Sequence, residues 1–439
     1  GLEAIPDYVR VLMRANDGVN AGFVFEGMGN AQTDDLNGAY GGVVFGYDRT
    51  RVRIWAPDRN DDKYTNGHII SIIDGWGGEV SVQQSQSASI KVLAWQNCSL
   101  CGKATPSTSS RNQPTFTPSF HPSLLPSMTK SAEPTSIPSN SPSLMPSVAP
   151  SRMQLLSSFD SGWFTMRAQN GSNSFKELKH LLGVNHASQV PKVIEVFVKA
   201  IDGNNNGFIF KAMGAAMGDD SRHYGGLIFA YDETTVRLWA PTKNDDLNRG
   251  SIINIFDGWG GEVNAQQSNV AQVRIIANGN CSIDWDFESE WFNMSSQADN
   301  KSFKEIAHGI GEVPSEVRVL TRALDGSNKG FIFEAVGMAQ SDDDIGNSYG
   351  GLIYGYDKYH VRLWAPSANS QEITSNSNGA IINVRDGWGD EIHAQSSNHA
   401  QVMVTARTNI PCGTGGSADF DSGWFSLSSQ AGTASYVEL

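Results

Sequence analysis

The chain has 439 residues, 39% of them hydrophobic, and a formal net charge of −14 at pH 7. That length accommodates three domains of ordinary size. An acidic balance with no basic cluster argues against nucleic acid or an anionic membrane surface as partner, and no apolar run is long enough to insert in a bilayer.

Taken from the start, residues 1–101 read as a first β-sandwich module. A turn at Asp17-Gly18 precedes Phe23, Tyr40-Gly-Gly opens a strand, and Val52-Arg-Ile-Trp-Ala-Pro57 alternates. Asp74-Gly-Trp-Gly then marks a tight turn, and a Gln-rich stretch leads into a last strand at Ile90–Trp95. Each piece is a short β-rich run bounded by Gly, Asn, Asp or Pro. The same landmarks return in the same order in residues 154–283 and 284–413. They include Val236-Arg-Leu-Trp-Ala-Pro241 with Asp257-Gly-Trp-Gly, and Val361-Arg-Leu-Trp-Ala-Pro366 with Asp386-Gly-Trp-Gly. Internal repetition dominates the reading. A module of roughly 120–130 residues suits one β-domain, and the predicted fold is all-β: three tandem antiparallel β-sandwiches. One helical turn or two is expected at Ser174–His180 and Ser302–His308.

Residues 102–153 break the pattern. Pro recurs every four residues at Pro114, Pro118, Pro122 and Pro126, then at Pro134, Pro138, Pro142, Pro146 and Pro150. Each Pro fixes φ and removes a donor, so neither helix nor sheet fits. Polyproline II is expected, and about 45 residues at ~3.1 Å each would span roughly 140 Å. These prolines, with Ser119 and Ser123, are candidates for hydroxylation and O-glycosylation. One reading is a stiff glycosylated spacer. Apolar residues such as Phe116, Phe120 and Leu124 point instead to a strap lying along other modules.

The second and third modules begin with Phe159-Asp-Ser-Gly-Trp163-Phe and Phe287-Glu-Ser-Glu-Trp291-Phe, and both continue through Ser-Phe-Lys-Glu. The first module lacks this opening. Residues 414–439 supply it: Phe420-Asp-Ser-Gly-Trp424-Phe425 leads to Ser435-Tyr436-Val-Glu-Leu439. Joining Leu439 to Gly1 restores the module pattern except for the equivalents of Ala307 and His308. The expected donor residues are therefore Phe420, Trp424, Phe425, Tyr436 and Leu439, and the expected acceptors are Leu2, Ile5 and Val9. A module missing an edge strand exposes backbone and core that a neighbour's strand would satisfy, and such a head-to-tail contact builds a fibre. Alternatively, the 439 residues are a window on a longer array joined by peptide bonds.

Other candidates are weaker. Arg53/Trp55, Arg237/Trp239 and Arg362/Trp364 alternate with aliphatics, which places them together on one strand face. They are either a contact surface or internal Trp side chains with Arg stacked on them or paired to an acid; Glu79, Glu262 and Glu391 are candidate partners. The pairs Asp34/Asp35, Asp219/Asp220 and Asp342/Asp343 offer oxygen ligands for Ca²⁺. None has a fixed ligand spacing, so turns are the better reading and no cofactor is expected. No recurring Ser/His/Asp or Cys/His set is present, so the chain does not read as an enzyme; His180 and His308 read as packing residues or caps. Cys98, Cys101, Cys281 and Cys412 are disulfide candidates with three pairings open. Asn97, Asn170, Asn280, Asn293 and Asn300 lie in glycosylation sequons, which with the Pro-Ser tract suggests a secreted protein bearing covalent glycans.

The Pro-Ser-x-x tract resembles segments of extracellular and cell-wall proteins of heterokont algae such as diatoms. The opening Asp-Ser-Gly-Trp, followed by Phe, His, Gly, Pro and a late Asp-Gly-Trp, is similar to the H-type lectin family. That resemblance implies small β-sandwiches that bind sugars as oligomers. Val-Arg-Leu-Trp-Ala-Pro and Asp-Gly-Trp-Gly-Glu depart from that family's sugar-site pattern, so the fold carries over and the binding residues do not. β-Modules with Pro-Ser tethers also resemble flagellar hairs (mastigonemes) and other extracellular fibrils. The expectation is a homopolymeric structural filament at a cell or flagellar surface, with a multivalent lectin as the alternative.

Overall fold

A computed structural model describes residues 4–32, 39–58, 66–72, 75–96, 98, 158–169, 171–182, 190–191, 193–217, 223–242, 250–256, 258–279, 285–296, 300–340, 349–367, 379–384, 387–410, 418–429 and 433–439. The architecture is all-β, dominated by three eight-stranded sheets with antiparallel pairing along each. The whole Pro-Ser tract, including Pro114 to Pro150, Ser119 and Ser123, lies outside the described residues.

The repeats are present, but none owns its sheets. The first strand of each repeat pairs along its full length with the long last strand: Tyr8–Ala15 with Ser87–Trp95, Val193–Ala200 with Val270–Asn278, and Glu316–Ala323 with His399–Arg407. The middle strands of the repeat lie in a different sheet. Val44–Tyr47 and Val52–Trp55 continue the sheet begun by repeat 2, through Tyr47 beside Ile209. Tyr231 of repeat 2 meets Ile332 of repeat 3, and Tyr356 of repeat 3 meets Val24 of repeat 1. Each sheet is thus half one repeat and half the next, and the cycle 1 to 2 to 3 to 1 closes. Separate tandem sandwiches were the expectation; the correction is that sheets run continuously across every junction.

Each repeat still packs its two halves face to face. In repeat 2, Val196, Val198 and Phe210 from one sheet bury against Phe229, Val236 and Leu238 from the other, with Trp259 and Ile275 completing the core. Burial on both faces of the strands explains why the sequence shows unbroken apolar runs beside clean alternation.

The expected helical turns are strands. Phe175–Lys179 pairs with Thr235–Trp239, and Phe303–Ala307 with His360–Trp364. Only three-residue 3-10 turns, Ser172–Ser174 and Asn300–Ser302, precede them. The pattern of Ser-Phe-Lys-Glu is too short to distinguish a turn of helix from a strand; the unpaired edge beside the Val-Arg-Leu-Trp strand decides it.

Candidate functional site

The segment 418–439 is the candidate assembly element, and it folds back onto repeat 1 of the same chain. Phe420–Asp421 and Phe425–Ser428 pair with the last strand of repeat 1, placing Phe420 opposite Ala94 and Phe425 opposite Ile90. Tyr436–Glu438 pairs with Val52–Trp55, and Leu439 exchanges backbone hydrogen bonds with Val52 at 3.0 Å. One segment therefore spans two sheets, as do the arms at 158–179 of repeat 2 and 287–307 of repeat 3.

The contacts match residue by residue. Val92, Ile275 and Val404 donate their backbone N–H to the hydroxyls of Ser422, Ser161 and Ser289 at 2.9, 2.8 and 2.9 Å. Asp421 and Asp160 each accept the N–H of the following Gly while pairing with Lys91 and Arg274. Trp424, Trp163 and Trp291 lie under Arg14, Lys199 and Arg322 at 4.3, 4.5 and 4.2 Å. Ala56, Ala240 and Ala365 donate to the carbonyls of Ser435, Ser174 and Ser302 at 2.8, 2.7 and 2.7 Å. Trp424 occupies the expected place, but the segment that carries it pairs with repeat 1 of its own chain. The receiving edges are Ser87–Trp95 and Val52–Trp55. Val9 is buried one strand further in, Ile5 is exposed, and Leu2 lies outside the described residues. Of the donor residues, Phe425 packs on the repeat 1 core and Tyr436 packs on Trp55 at 5.9 Å, while Phe420 and Leu439 remain exposed.

The Trp–Arg strands form the joints between repeats rather than an outer surface. Trp55, Trp239 and Trp364 are fully buried, and each donates its indole N–H to the next repeat: to Val263, Ile392 and Val80 at 2.8, 2.8 and 2.9 Å. The turn holding those carbonyls comes so close that a Cβ on Gly260, Gly389 or Gly77 would lie 2.3, 2.3 and 2.4 Å from the indole. Trp76, Trp259 and Trp388 of the same turns stand edge-on to Tyr349, Tyr40 and Tyr224 of the preceding repeat. Asp74, Asp257 and Asp386 themselves lie outside the described residues, as do the acidic pairs Asp34/Asp35, Asp219/Asp220 and Asp342/Asp343.

Arg53, Arg237 and Arg362 each bridge two elements. Their Nε donates to Glu438, Glu177 and Glu305 of the arm at 2.7, 2.8 and 2.7 Å. Their Nη1 donates to Asn205, Asn328 and Asn20 of the next repeat at 2.8, 2.9 and 2.9 Å, over the rings of Phe208, Phe331 and Phe23. The expected partners Glu79, Glu262 and Glu391 do not serve; all three sit at positive φ in the Trp turn. The glutamate of Ser-x-x-Glu is the partner, because strand pairing places it directly opposite the arginine.

A buried ionic cluster joins the three repeats, and the sequence reading missed it. Arg10 donates to Glu26 at 2.9 Å, Lys211 lies 3.6 Å from Glu195, and Arg318 lies 2.6 Å from Glu195 and 3.0 Å from Glu334. Arg407 pairs with Glu316. Some of these side chains line a small cavity of about 80 Å³. The signal was available: equivalent positions read Arg10, Glu195, Arg318 and Glu26, Lys211, Glu334, so repeat 2 has its charges reversed. Burial and the Arg10 guanidinium act in opposition on Glu26; the guanidinium prevails and holds it down at about 2. Glu334 is pushed up to about 7 by burial, because it shares Arg318 with Glu195 and Glu316.

Among the described residues, no group of His, Cys, Asp and Glu is arranged to hold a metal ion, and no helix is long and apolar enough to cross a membrane. Cys98 is disulfide-bonded; Cys101, Cys281 and Cys412 lie outside the described residues. Asn293 is exposed on its strand, whereas Asn97, Asn170, Asn280 and the side chain of Asn300 are outside them. No protein-family model matches the chain, and no curated protein matches it.

Proposed function

We propose that this chain is a structural subunit of an extracellular glycoprotein filament. Its unit is a ring of three repeats latched by residues 419–439, and subunits link head to tail when that latch passes to repeat 1 of a neighbour. One observation carries the reading: the strand pairings of the latch reproduce those that repeats 2 and 3 make with their own arms. Exchange of an identical element between copies keeps all of these contacts, and is a low-cost route to assembly. The disulfide at Cys98 supports an oxidising, extracellular setting, and the exposed sequon at Asn293 supports glycosylation. In this role the protein needs no catalytic centre and no cofactor.

The test is a pair of cysteines, Ser89→Cys with Ser426→Cys, at directly paired positions. In filament preparations the latch in trans yields a ladder of disulfide-linked chains. Only intramolecular closure, with fibres still present, sinks the exchange mechanism.

A second reading, multivalent carbohydrate binding, is favoured by a cleft of about 570 Å³ between repeats 1 and 2. Its lining combines Trp163 and Tyr47 with Asp160, Arg274 and Asn278, the mix of aromatic faces and polar groups that suits small ligands. A glycan array with Trp163→Ala as control tests it; an array with no hit above that control removes it.

A further inference from the structure

The contacts between repeats fall into two layers, and the outer one is the same at all three joints. Trp55, Trp239 and Trp364 each donate to a carbonyl of the next repeat, and Arg53, Arg237 and Arg362 each donate to an asparagine there. Tyr40, Tyr224 and Tyr349 add a hydroxyl donated to the carbonyls of Gly258, Gly387 and Gly75 at 2.8, 2.7 and 2.7 Å. Every repeat presents these same groups, so the outer layer holds neighbours without choosing between them.

The inner layer is different at each joint. Strand register makes Arg10, Glu195 and Arg318 equivalent, and likewise Glu26, Lys211 and Glu334. All three members of the first set are buried, where salt screens charges poorly. Arg318 reaches across to Glu195 at 2.6 Å and to the Ile194 carbonyl at 3.4 Å. Between repeats 3 and 1, Arg10 instead donates to the Ser315 carbonyl and to the Tyr356 hydroxyl at 3.4 Å, and Tyr8 donates to Glu316 at 3.2 Å. Between repeats 1 and 2, the Lys211 ammonium lies over the Tyr8 ring at 4.6 Å. Gln340 accepts the backbone N–H of Gln32, and Gln32 accepts that of Met217. Met217 is repeat 2's own residue at the glutamine place, so repeat 2 presents repeat 3 with a thioether where the other joints have an amide oxygen.

We propose that these charges are an address that admits one repeat of the reversed type to each ring, with Glu195 and Arg318 as the residues that read it. A second repeat 3, or a repeat 1, in the place of repeat 2 would set an arginine against Arg318 where Glu195 now stands. A second repeat 2 in the place of repeat 3 would oppose Glu195 to itself. Each wrong neighbour keeps the outer layer and is rejected by buried like charges, which is how closely related surfaces are told apart. The selection concerns the closed ring and does not rest on exchange of the latch. Where the latch is exchanged, a second copy of this chain lends residues 418–439 and not a repeat.

Three variants of the full chain test it. Glu195→Arg with Lys211→Glu gives repeat 2 the charges of repeats 1 and 3, and Arg318→Glu with Glu334→Lys gives repeat 3 those of repeat 2. Each exchange keeps the net charge and an opposite-sign pair within its repeat; what changes is the number of reversed repeats, to none and to two. The third variant carries both exchanges and has one reversed repeat again. Each exchange alone should lower the melting temperature by about 5 °C or more, and the combined chain should melt above both. A merely structural role for the four residues predicts losses that add, so a combined chain that does not melt above both overturns the proposal. Where none of the three folds, the coupling is read from Glu195→Gln, Arg318→Gln and the chain with both. The double substitution should then lose less than the sum of the two singles, and strict additivity overturns the proposal.

Discussion

Repeats 2 and 3 are completed by the arm that precedes them in the chain, whereas repeat 1 is completed by a segment from the opposite end. The contrast separates connectivity from contact. Ser161 and Ser289 meet their strands across 114 and 115 residues, and Ser422 meets Val92 across 330. Closing the longer loop costs only about 1 kcal/mol more, because the entropy grows with the logarithm of length. Distance in sequence is thus a minor penalty beside two strands, a buried serine and an Arg–Glu pair.

The sharpest way to break this comparison is to delete 419–439. Repeat 1 should then lose its outer strands and expose the edges of Ser87–Trp95 and Val52–Trp55, including Ile90 and Ala94 opposite the missing Phe425 and Phe420. Hydrogen exchange should show deprotection of Ser87–Trp95 while His399–Arg407 stays protected, and fibres should not form. Uniform protection would mean that the latch is dispensable.

Next in size are the glycines where consecutive repeats touch. A Cβ on Gly29, Gly214 or Gly337 would lie 1.8, 1.9 and 1.8 Å from the backbone oxygen of Lys211, Glu334 and Glu26. Substitution by Ala should cost about 3 kcal/mol or more at each site. If the ring is closed, Gly337→Ala is as damaging in urea unfolding as the other two; a mild Gly337→Ala would show that repeats 3 and 1 do not meet in solution.

A smaller effect separates the latch from an ordinary arm. Glu438→Ala strands Arg53, which is 7% exposed, and should cost about 1–3 kcal/mol. Glu177→Ala leaves the more open Arg237 and should cost less. Equal losses would mean that the two joints are equally tight.

The smallest is a slope. Glu334 is raised from 4.5 to about 7 in the fold, so its contribution is fully present below pH 4.5 and is lost as pH rises through 7. Glu26 has the opposite sign: lowered to about 2, it stabilises above pH 4.5, and that stability is lost as pH falls toward 2. In Glu334→Gln, the urea midpoint should lose the decline between pH 4.5 and 7 and keep the acid limb. An unchanged slope would place the buried proton elsewhere.

Much of this architecture was legible in the sequence. Repeated Val-Arg-Leu-Trp-Ala-Pro and Asp-Gly-Trp-Gly landmarks located the strands, and the truncated pattern at the two ends identified 419–439 as the missing opening of repeat 1. These signals survive because strand periodicity and turn chemistry are local. The sheet state of Ser174–His180 was not legible, since five residues fit a helical turn equally well until an edge strand lies beside them. Alternation put Arg53 and Trp55 on one face, but could not say that a second core, from the next repeat, would cover that face. The ionic cluster escaped for the same reason: Arg10, Glu195 and Arg318 look like outward residues until three repeats bring them together. Sequence by itself therefore determined the strand landmarks other than the arm strands, the repetition of those landmarks and the segment that carries the missing opening. Tertiary structure decided which sheet each strand joins, what buries the Trp and Arg side chains, and that the segment closes within one chain, because those outcomes depend on pairing between edges hundreds of residues apart.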